Sequence, residues 1–363
     1  MKSTKNKELV TRKKKVDGNK LKALDFFCGA GGMSCGFQNA GIEILAGIDI
    51  EKDFEKTYTT NHRRAKFINR DITRYQPYEL HSELELKKFD DNLIFIGCSP
   101  CQYWSKINTI KHNSVYSNNL IYDFQRFIKY FMPGYVVVEN VPGIIKKSNN
   151  HILLNFLDFL TFNGYKYEYQ LINTNLFGVP QKRNRFLLIS SRLNKKILFP
   201  EPVLDKKLTV RDFIGVENGF PKIPAGHKDE TCFLHTTASL SKLNLERIKR
   251  TPKNGGTRIS WKNYSRLQLK AYKGKDNMFS NIYGRMFWDK PASTITTRFI
   301  ATSCGRFAHP EENRGLSLRE GATLQTFPKR YKFIGSMISI ARQIGNAVPP
   351  KMAEKIALSI KKI

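Results

Sequence analysis

Acidic residues are scarce in this chain of 363: 31 Asp+Glu stand against 61 Lys+Arg, a formal charge of +30. Solubility does not need such an excess, and a polyanionic partner accounts for it, although an AT-rich coding sequence also favours Lys. Cysteine is scarce too. Cys28, Cys35, Cys98, Cys101, Cys232 and Cys304 are too few and too scattered for a disulfide framework, which implies a reducing compartment. Cys98 and Cys101 have the C-x-x-C spacing of a zinc half-site or redox pair, but no second Cys/His pair accompanies them, so no metal is expected. The first residues lack an apolar signal core, and no run of about 18 apolar residues occurs. A soluble, cytoplasmic protein with no membrane partner is the expectation.

From Leu21 onward, short apolar runs alternate with helical periodicity. Strands are expected at 21–27, 43–49, 92–97, 135–138, 165–172 and 185–190, with helices at 32–40, 51–61, about 120–131 and 152–162. That alternation predicts an α/β fold, a doubly wound, mostly parallel, Rossmann-like sheet. Beyond Leu198 the periodicity weakens, which predicts a second, smaller, irregular domain over 198–315. An amphipathic helical stretch at 316–327, inside a return segment 316–340, leads back to the first domain, assigned to 21–197 and 341–363. A last helix over 347–360 opens near Pro349-Pro350. Residues 1–20 read as a basic flexible arm around Arg12-Lys13-Lys14-Lys15, which either meets phosphates or merely solubilises.

The run Asp25-Phe26-Phe27-Cys28-Gly29-Ala30-Gly31-Gly32 stands where a first strand ends and a helix begins. Glycines there admit a ligand close to the backbone, or simply build a tight turn. A dinucleotide fingerprint needs a further glycine where this chain has Ser34, which disfavours a pyrophosphate cofactor. Asp49, at the end of the second strand, stands where a ribose anchor usually lies. A nucleoside without phosphates fits this pattern, and S-adenosylmethionine is one.

Three further loops follow in order: Pro100-Cys101-Gln102, Glu139-Asn140-Val141 and Gln181-Lys182-Arg183-Asn184-Arg185, with Ile344-Gly345-Asn346-Ala347-Val348-Pro349 near the end. They offer a thiolate nucleophile held by a proline, a carboxylic acid, and a cationic clamp. Taken together and collinear, these motifs resemble the cytosine-5 DNA methyltransferase family over almost the whole chain. The resemblance implies S-adenosylmethionine as methyl donor. It places Phe27 against the methionine part, with Gly29 and Gly31 in the turn, Asp49 on the ribose and Ile50 beside the adenine. Asp71, Ile72, Pro100, Leu120, Asn346 and Ala347 complete that set. It also implies that Cys101 adds to carbon-6 of cytosine, that Glu139 serves N3 and the exocyclic amine, and that Arg185 grips the carbonyl oxygen. Asn140 braces the Cys101 loop, and Arg183 supports a loop or a phosphate.

A stacked base is out of reach of such chemistry, so the cytosine must be turned out of the helix. The polar segment 102–118 is long enough to close over it, with Gln102 and Ser105 near the DNA. Between Lys242 and Lys275 lie eleven Lys/Arg and one acidic residue, Glu246, a pattern that suits phosphate tracking. Lys249, Arg250 and Lys253 are expected on phosphates, Gly255 and Gly256 in a turn close to a groove, and Arg258, Arg285 and Arg298 are candidates for guanine. The expected partner is double-stranded DNA, met by a monomer, with a restriction endonuclease acting on the same site without being bound. Two other readings are a tRNA cytosine-5 methyltransferase and a non-catalytic DNA-binding protein on the same scaffold.

Overall fold

Three short runs, each with an apolar stretch too brief for an amphipathic helix, form the centre of one sheet. They are β1 (Lys22–Phe26), β4 (Leu93–Gly97) and β5 (Tyr135–Asn140), the last two buried along their whole length. A computed structural model describes residues 20–99, 112–145, 150–203, 207–272 and 278–363, without the side chains of 112–119 and 150. With β2 (Glu43–Asp49), β3 (Lys66–Asn69), β6 (Lys166–Asn173) and β7 (Asn184–Ser191), the sheet has the order β3-β2-β1-β4-β5-β7-β6. The first five strands run parallel, and β7 lies antiparallel between β5 and β6. The carboxyl ends of the parallel strands and the start of β7 therefore share one edge, the usual place for a site in such a sheet.

Helices cover both faces. On one side α1 (Gly32–Asn39) and α9 (Pro350–Ile360, with proline at its first turn) bring Phe37, Met352 and Ile356 against Ile94 and Ile96. On the other, α4 (His112–Phe131) and α5 (Asn150–Phe162) bring Phe124, Phe127 and Phe156 against Phe95, Val136 and Val138. Each fully buried Phe contributes roughly 1.5–3 kcal/mol. The 51–61 stretch divides into a single 3-10 turn and α2 (Glu55–Asn61). β3 and α3 (Pro77–Leu84) were not expected from the sequence. α3 is opened by a reciprocal cap in which Gln76 and Glu79 satisfy each other's backbone N–H groups.

Between 198 and 315 the only α-helix among the described residues is α6 (Lys242–Arg250), set among short 3-10 turns. Ile248, Trp261, Leu267, Ile282, Tyr283 and Ala308 form a small core there. A larger core joins Val210, Ile214, Phe220 and Phe299 to α7 (Leu318–Leu324), α8 (Met337–Asn346) and Ala30 and Cys35. α7 is not amphipathic as expected: all seven residues are buried, because it lies inside that shared core. No helix among the described residues is long and apolar enough to cross a membrane.

Candidate active site

β1 runs into a turn that the chain holds against local preference. Phe27 has φ 60°, a left-handed conformation poorly suited to a bulky side chain. Gly29 N–H donates to Asp49 Oδ2 at 2.8 Å and Glu51 N–H to Asp49 Oδ1 at 2.9 Å, so Asp49 fastens the turn to the end of β2. Burial raises the Asp49 carboxyl, and these two N–H groups oppose the rise. Each oxygen accepts one bond and keeps capacity for a further donor. Beneath the turn, Ser34 donates its hydroxyl and its N–H to Asp25 Oδ2 at 2.7 and 3.1 Å. Burial pushes Asp25 up to about 7.

The glycines of the turn have different reasons. A Cβ on Gly31 (φ 85°) would lie 2.3 Å from His62 Nε2, and one on Gly32 would lie 2.2 Å from the Val348 carbonyl. One on Gly29 (φ 53°) would meet nothing within 4 Å. Packing requires the first two, whereas Gly29 borders open space. Of the other residues expected at the cofactor, Ile50 is 58% exposed, Ile72, Leu120 and Ala347 are buried, and Asn346 is exposed. The Asp71 carboxylate accepts the N–H and hydroxyl of Thr73 at 3.0 and 2.8 Å.

At the neighbouring strand ends, fully buried Asn140 donates to Ser99 Oγ at 3.0 Å and accepts from Val141 N–H at 2.8 Å. The end of β5 thereby grips the residue that precedes Pro100. Pro100, Cys101, Gln102 and Ser105 lie outside the described residues. Glu139 pairs with Leu187 in the β5–β7 register, and Arg185, two residues from Leu187, shares its face. Arg185 Nε lies 2.8 Å from Glu139 Oε1, both side chains being about nine-tenths buried. The contact is off-axis, so Oε1 has no aligned hydrogen-bond donor. Arg185 Nη1 donates to the Asn184 carbonyl at 2.7 Å, which leaves Nη2 without a protein partner among the described residues.

Arg183 requires a correction as a phosphate contact. It is 5% exposed and donates to the Ile295 and Gly345 carbonyls at 3.1 and 3.4 Å, so it supports backbone instead of meeting a ligand. Gln181 extends that support: its oxygen accepts from Ile295 N–H at 2.8 Å, and its amide donates to Gln325 at 2.8 Å. Gln325 in turn donates to the Ile344 carbonyl at 2.7 Å. The basic loop, α7 and α8 are thus fastened to one another through buried amides.

A family model described as C-5 cytosine-specific DNA methylase matches residues 21–362. The chain belongs to that family. This DNA (cytosine-5)-methyltransferase is 34% identical over 345 residues to the type II methylase M.HgiDII of Herpetosiphon aurantiacus, covering 93% of this chain and 94% of the relative. It is 32% identical over 349 residues to the type II methyltransferase M1.HphI of Haemophilus parahaemolyticus, covering 94% and 87%. Among solved structures, a protein named as a DNA modification methyltransferase encoded within an E. coli prophage shares the fold, with a TM-score of 0.73 at 21% identity over 94% of this chain and 99% of that one.

Two further expectations about the methylase are overturned by burial. Arg285 is 1% exposed, and its guanidinium donates to the carbonyls of Thr251 (2.9 Å), His309 (3.0 Å), Glu312 (2.6 Å) and Ile248 (2.9 Å) and to Asn313 Oδ1 (2.6 Å). Desolvation lowers it to about 10. Arg258 is 5% exposed and donates to the carbonyls of Met278 and Phe279. Neither side chain reaches a guanine in this arrangement. Arg298, Lys249, Arg250 and Lys253 are exposed, Arg250 lying 4.2 Å above the Tyr264 ring. Gly255 and Gly256 are required by the fold, since a Cβ would lie 1.9 Å from Phe287 and 2.1 Å from the Pro252 carbonyl, respectively.

Sequence reasoning missed Tyr331 and His62. His62 Nε2 lies 2.9 Å from the Tyr331 hydroxyl, which donates to the Ala30 carbonyl, while Nδ1 lies 2.7 Å from Gln38 Oε1. Burial lowers His62 to about 4, in keeping with a neutral ring. The return segment thereby holds the glycine turn. Nothing in the local spacing of either residue signals it.

Proposed function

We propose that the methylase transfers a methyl group from S-adenosylmethionine to carbon-5 of a cytosine turned out of a specific duplex sequence, through covalent addition of the Cys101 thiolate to carbon-6. The observation that carries this reading is the buried Glu139–Arg185 pair at 2.8 Å, beside the Asn140–Ser99 bond at the root of the Cys101 loop. The open space at Gly29 and the spare acceptor capacity of Asp49 suit a nucleoside with an aliphatic cationic arm. Phe27, Gly29, Gly31, Asp49, Ile50, Asp71, Ile72, Pro100, Leu120, Asn346 and Ala347 hold it, and when bound it supplies an electrophilic methyl group. Glu139, when protonated, presents a proton at N3, and its carboxyl takes a bond from the exocyclic amine. Arg185 Nη2 grips the carbonyl oxygen, so that both groups withdraw electrons and carbon-6 becomes open to the thiolate.

Residues 21–197 and 341–363 carry the chemistry, 198–315 meet the duplex, and 316–340 join the two. The methylase acts as a cytoplasmic monomer of a modification system, with or without an endonuclease of the same specificity. Bisulfite sequencing of DNA from cells that express it tests the reading: protected cytosines in one sequence context are expected, and protection confined to tRNA would overturn it.

Two predictions arise here. Gly29→Ala is expected to cost only about 1–2 kcal/mol of stability, the strain of a left-handed alanine, yet to weaken donor binding at least tenfold because the methyl enters the cofactor space. Gly31→Ala is expected to unfold at lower denaturant than Gly29→Ala, since it also strikes His62. Denaturant midpoints and titration calorimetry check both. Separately, neutralising Lys249, Arg250 and Lys253 together should flatten the log–log salt dependence of duplex binding by up to about three units. An unchanged slope removes this face from the interface.

A further inference from the structure

Three residues of the proposed donor site stand in the order of the sheet. Phe27 follows β1, Asp49 ends β2, and Asp71 follows β3, the outermost strand on that side. Asn69, at the end of β3, is the register partner of Asp49 and donates its amide to the Asp49 and Ile50 carbonyls at 3.0 and 2.9 Å. A donor with its methionine part at the first position and its ribose at the second brings adenine to the third. A carboxylate there only accepts, and the donor that adenine offers is its 6-amino group.

Residues 71–75 form a tight turn, in which the Asp71 carbonyl accepts from the N–H groups of Arg74 (3.0 Å) and Tyr75 (2.9 Å). The turn sends three of its carbonyls toward one guanidinium, that of Arg126 on α4. Arg126 Nη2 donates to the Ile72 carbonyl at 2.7 Å, with the Tyr75 and Thr73 carbonyls 3.4 and 3.5 Å away and Asp123 Oδ1 at 3.1 Å. Its Nη1 donates at 3.2 Å to Gln76 Oε1, on the side chain that caps α3. Converging carbonyls of this kind need a charged group with several donors in a fixed fork, which arginine supplies. Burial raises the Asp123 carboxyl, Arg126 opposes the rise, and the charge of Asp71 adds to it, so both carboxylates act on one field around the guanidinium. The same helix carries Leu120, which shares a core with Ile72. Arg126 therefore fastens two walls of the proposed site to each other.

We propose that Arg126 is a positioning residue for the methyl donor: by holding the carbonyls of 72–75 against α4 it sets the Asp71 carboxylate where it meets the 6-amino group, and so makes the site select a 6-aminopurine. This rests on the reading that places Asp71 in the donor site. Arg126 itself touches no part of the donor.

The test uses the full chain and calorimetric titration with two thioethers, S-adenosylhomocysteine and its 6-oxo counterpart S-inosylhomocysteine, which turns an acceptor toward the carboxylate. Wild type should prefer the 6-amino ligand by about 10- to 100-fold, the range of one hydrogen bond to a charged group. Arg126→Gln should remove most of that preference, weakening the 6-amino ligand by about tenfold while the 6-oxo ligand changes by less than about threefold. In turnover it should raise the KM for S-adenosylmethionine and leave kcat at saturating donor near wild type, because the loss is one of donor binding. Arg126→Lys keeps the charge without the fork, so its preference should fall between the two, and it decides the matter if the glutamine variant does not fold. A merely structural Arg126 predicts something else: a lower thermal midpoint with both thioethers weakened equally, which would overturn the proposal. Wild-type preference in Arg126→Lys as well as in any folded Arg126→Gln would overturn it too, as would equal binding of the two thioethers by wild type. Failure of the underlying donor reading looks different, because wild type would then bind neither.

Discussion

With a duplex carrying 5-fluorocytosine at the target position and S-adenosylmethionine present, Cys101→Ser will give no denaturation-resistant protein–DNA adduct, whereas Cys98→Ser will form it at close to the wild-type yield. Fluorine at carbon-5 blocks the loss of the proton that ordinarily releases the enzyme, so the trapped species reports which sulfur attacked. Cys98 is the nearest rival in sequence, yet it continues the Ile94, Ile96 face of β4 and packs against the core beneath α1 and α9. Cys28 and Cys35 are worse placed still. Burial raises the Cys28 thiol well above its ordinary range and pushes Cys35 up to about 12, so neither supplies a thiolate at neutral pH. Peptide mapping by mass spectrometry assigns the adduct. An adduct that persists without Cys101, or maps to Cys98, would end the assignment of the nucleophile.

The parts of this fold that could be read in the sequence are those where one local force dominates. β4 and β5 are buried on both faces, so their apolar runs are continuous. β2 matches its expected span because Gly41 and Asp49 bound it. β3 was missed because Lys66–Asn69 is an edge strand of four residues with two polar members, too short for a period to register. α3 was missed because its opening cap uses Gln76 where Ser, Thr, Asp or Asn is the usual signal. The arginines show a deeper limit. Arg183, Arg258 and Arg285 look like surface cations in a basic chain, and only the folded structure brings carbonyls from distant segments to each guanidinium. The same holds for Tyr331, which reaches Ala30 across 301 positions. Motif spacing is read along the chain, whereas such bonds are set by how the chain returns.

Arg319 shows what that return couples. It donates to the Phe233 carbonyl at 2.5 Å and to the Tyr331 carbonyl at 2.9 Å, and the Tyr331 hydroxyl bonds the Ala30 carbonyl, so 232–234, Tyr331 and the glycine turn are joined in one series. Seating of 232–234 and the shape of the glycine turn are therefore not independent. Glu139 stands at the end of β5, two strands from β1 along the same edge, and its environment sets the second large effect.

Glu139→Gln should slow single-turnover methyl transfer by about 10³-fold, within the usual range for a positioned acid or base, while duplex affinity stays within about threefold. Glutamine is the informative substitution because it keeps the shape of the side chain and an oxygen for Arg185. Alanine would leave that guanidinium buried without its partner, a loss of about 3–5 kcal/mol that confuses chemistry with folding. What glutamine cannot do is carry a removable proton to N3. The ion pair between Arg185 Nε and Glu139 Oε1 at 2.8 Å holds the carboxyl in place at the end of β5. A purely structural Glu139 predicts another pattern: affinity, thermal midpoint and rate fall together, and the 5-fluorocytosine adduct, once formed, accumulates at the wild-type rate per bound complex. If the glutamine variant binds normally and transfers at the wild-type rate, the proton must come from elsewhere. Slow transfer with intact binding and slow adduct formation leaves Glu139 as the group that makes carbon-6 open to attack.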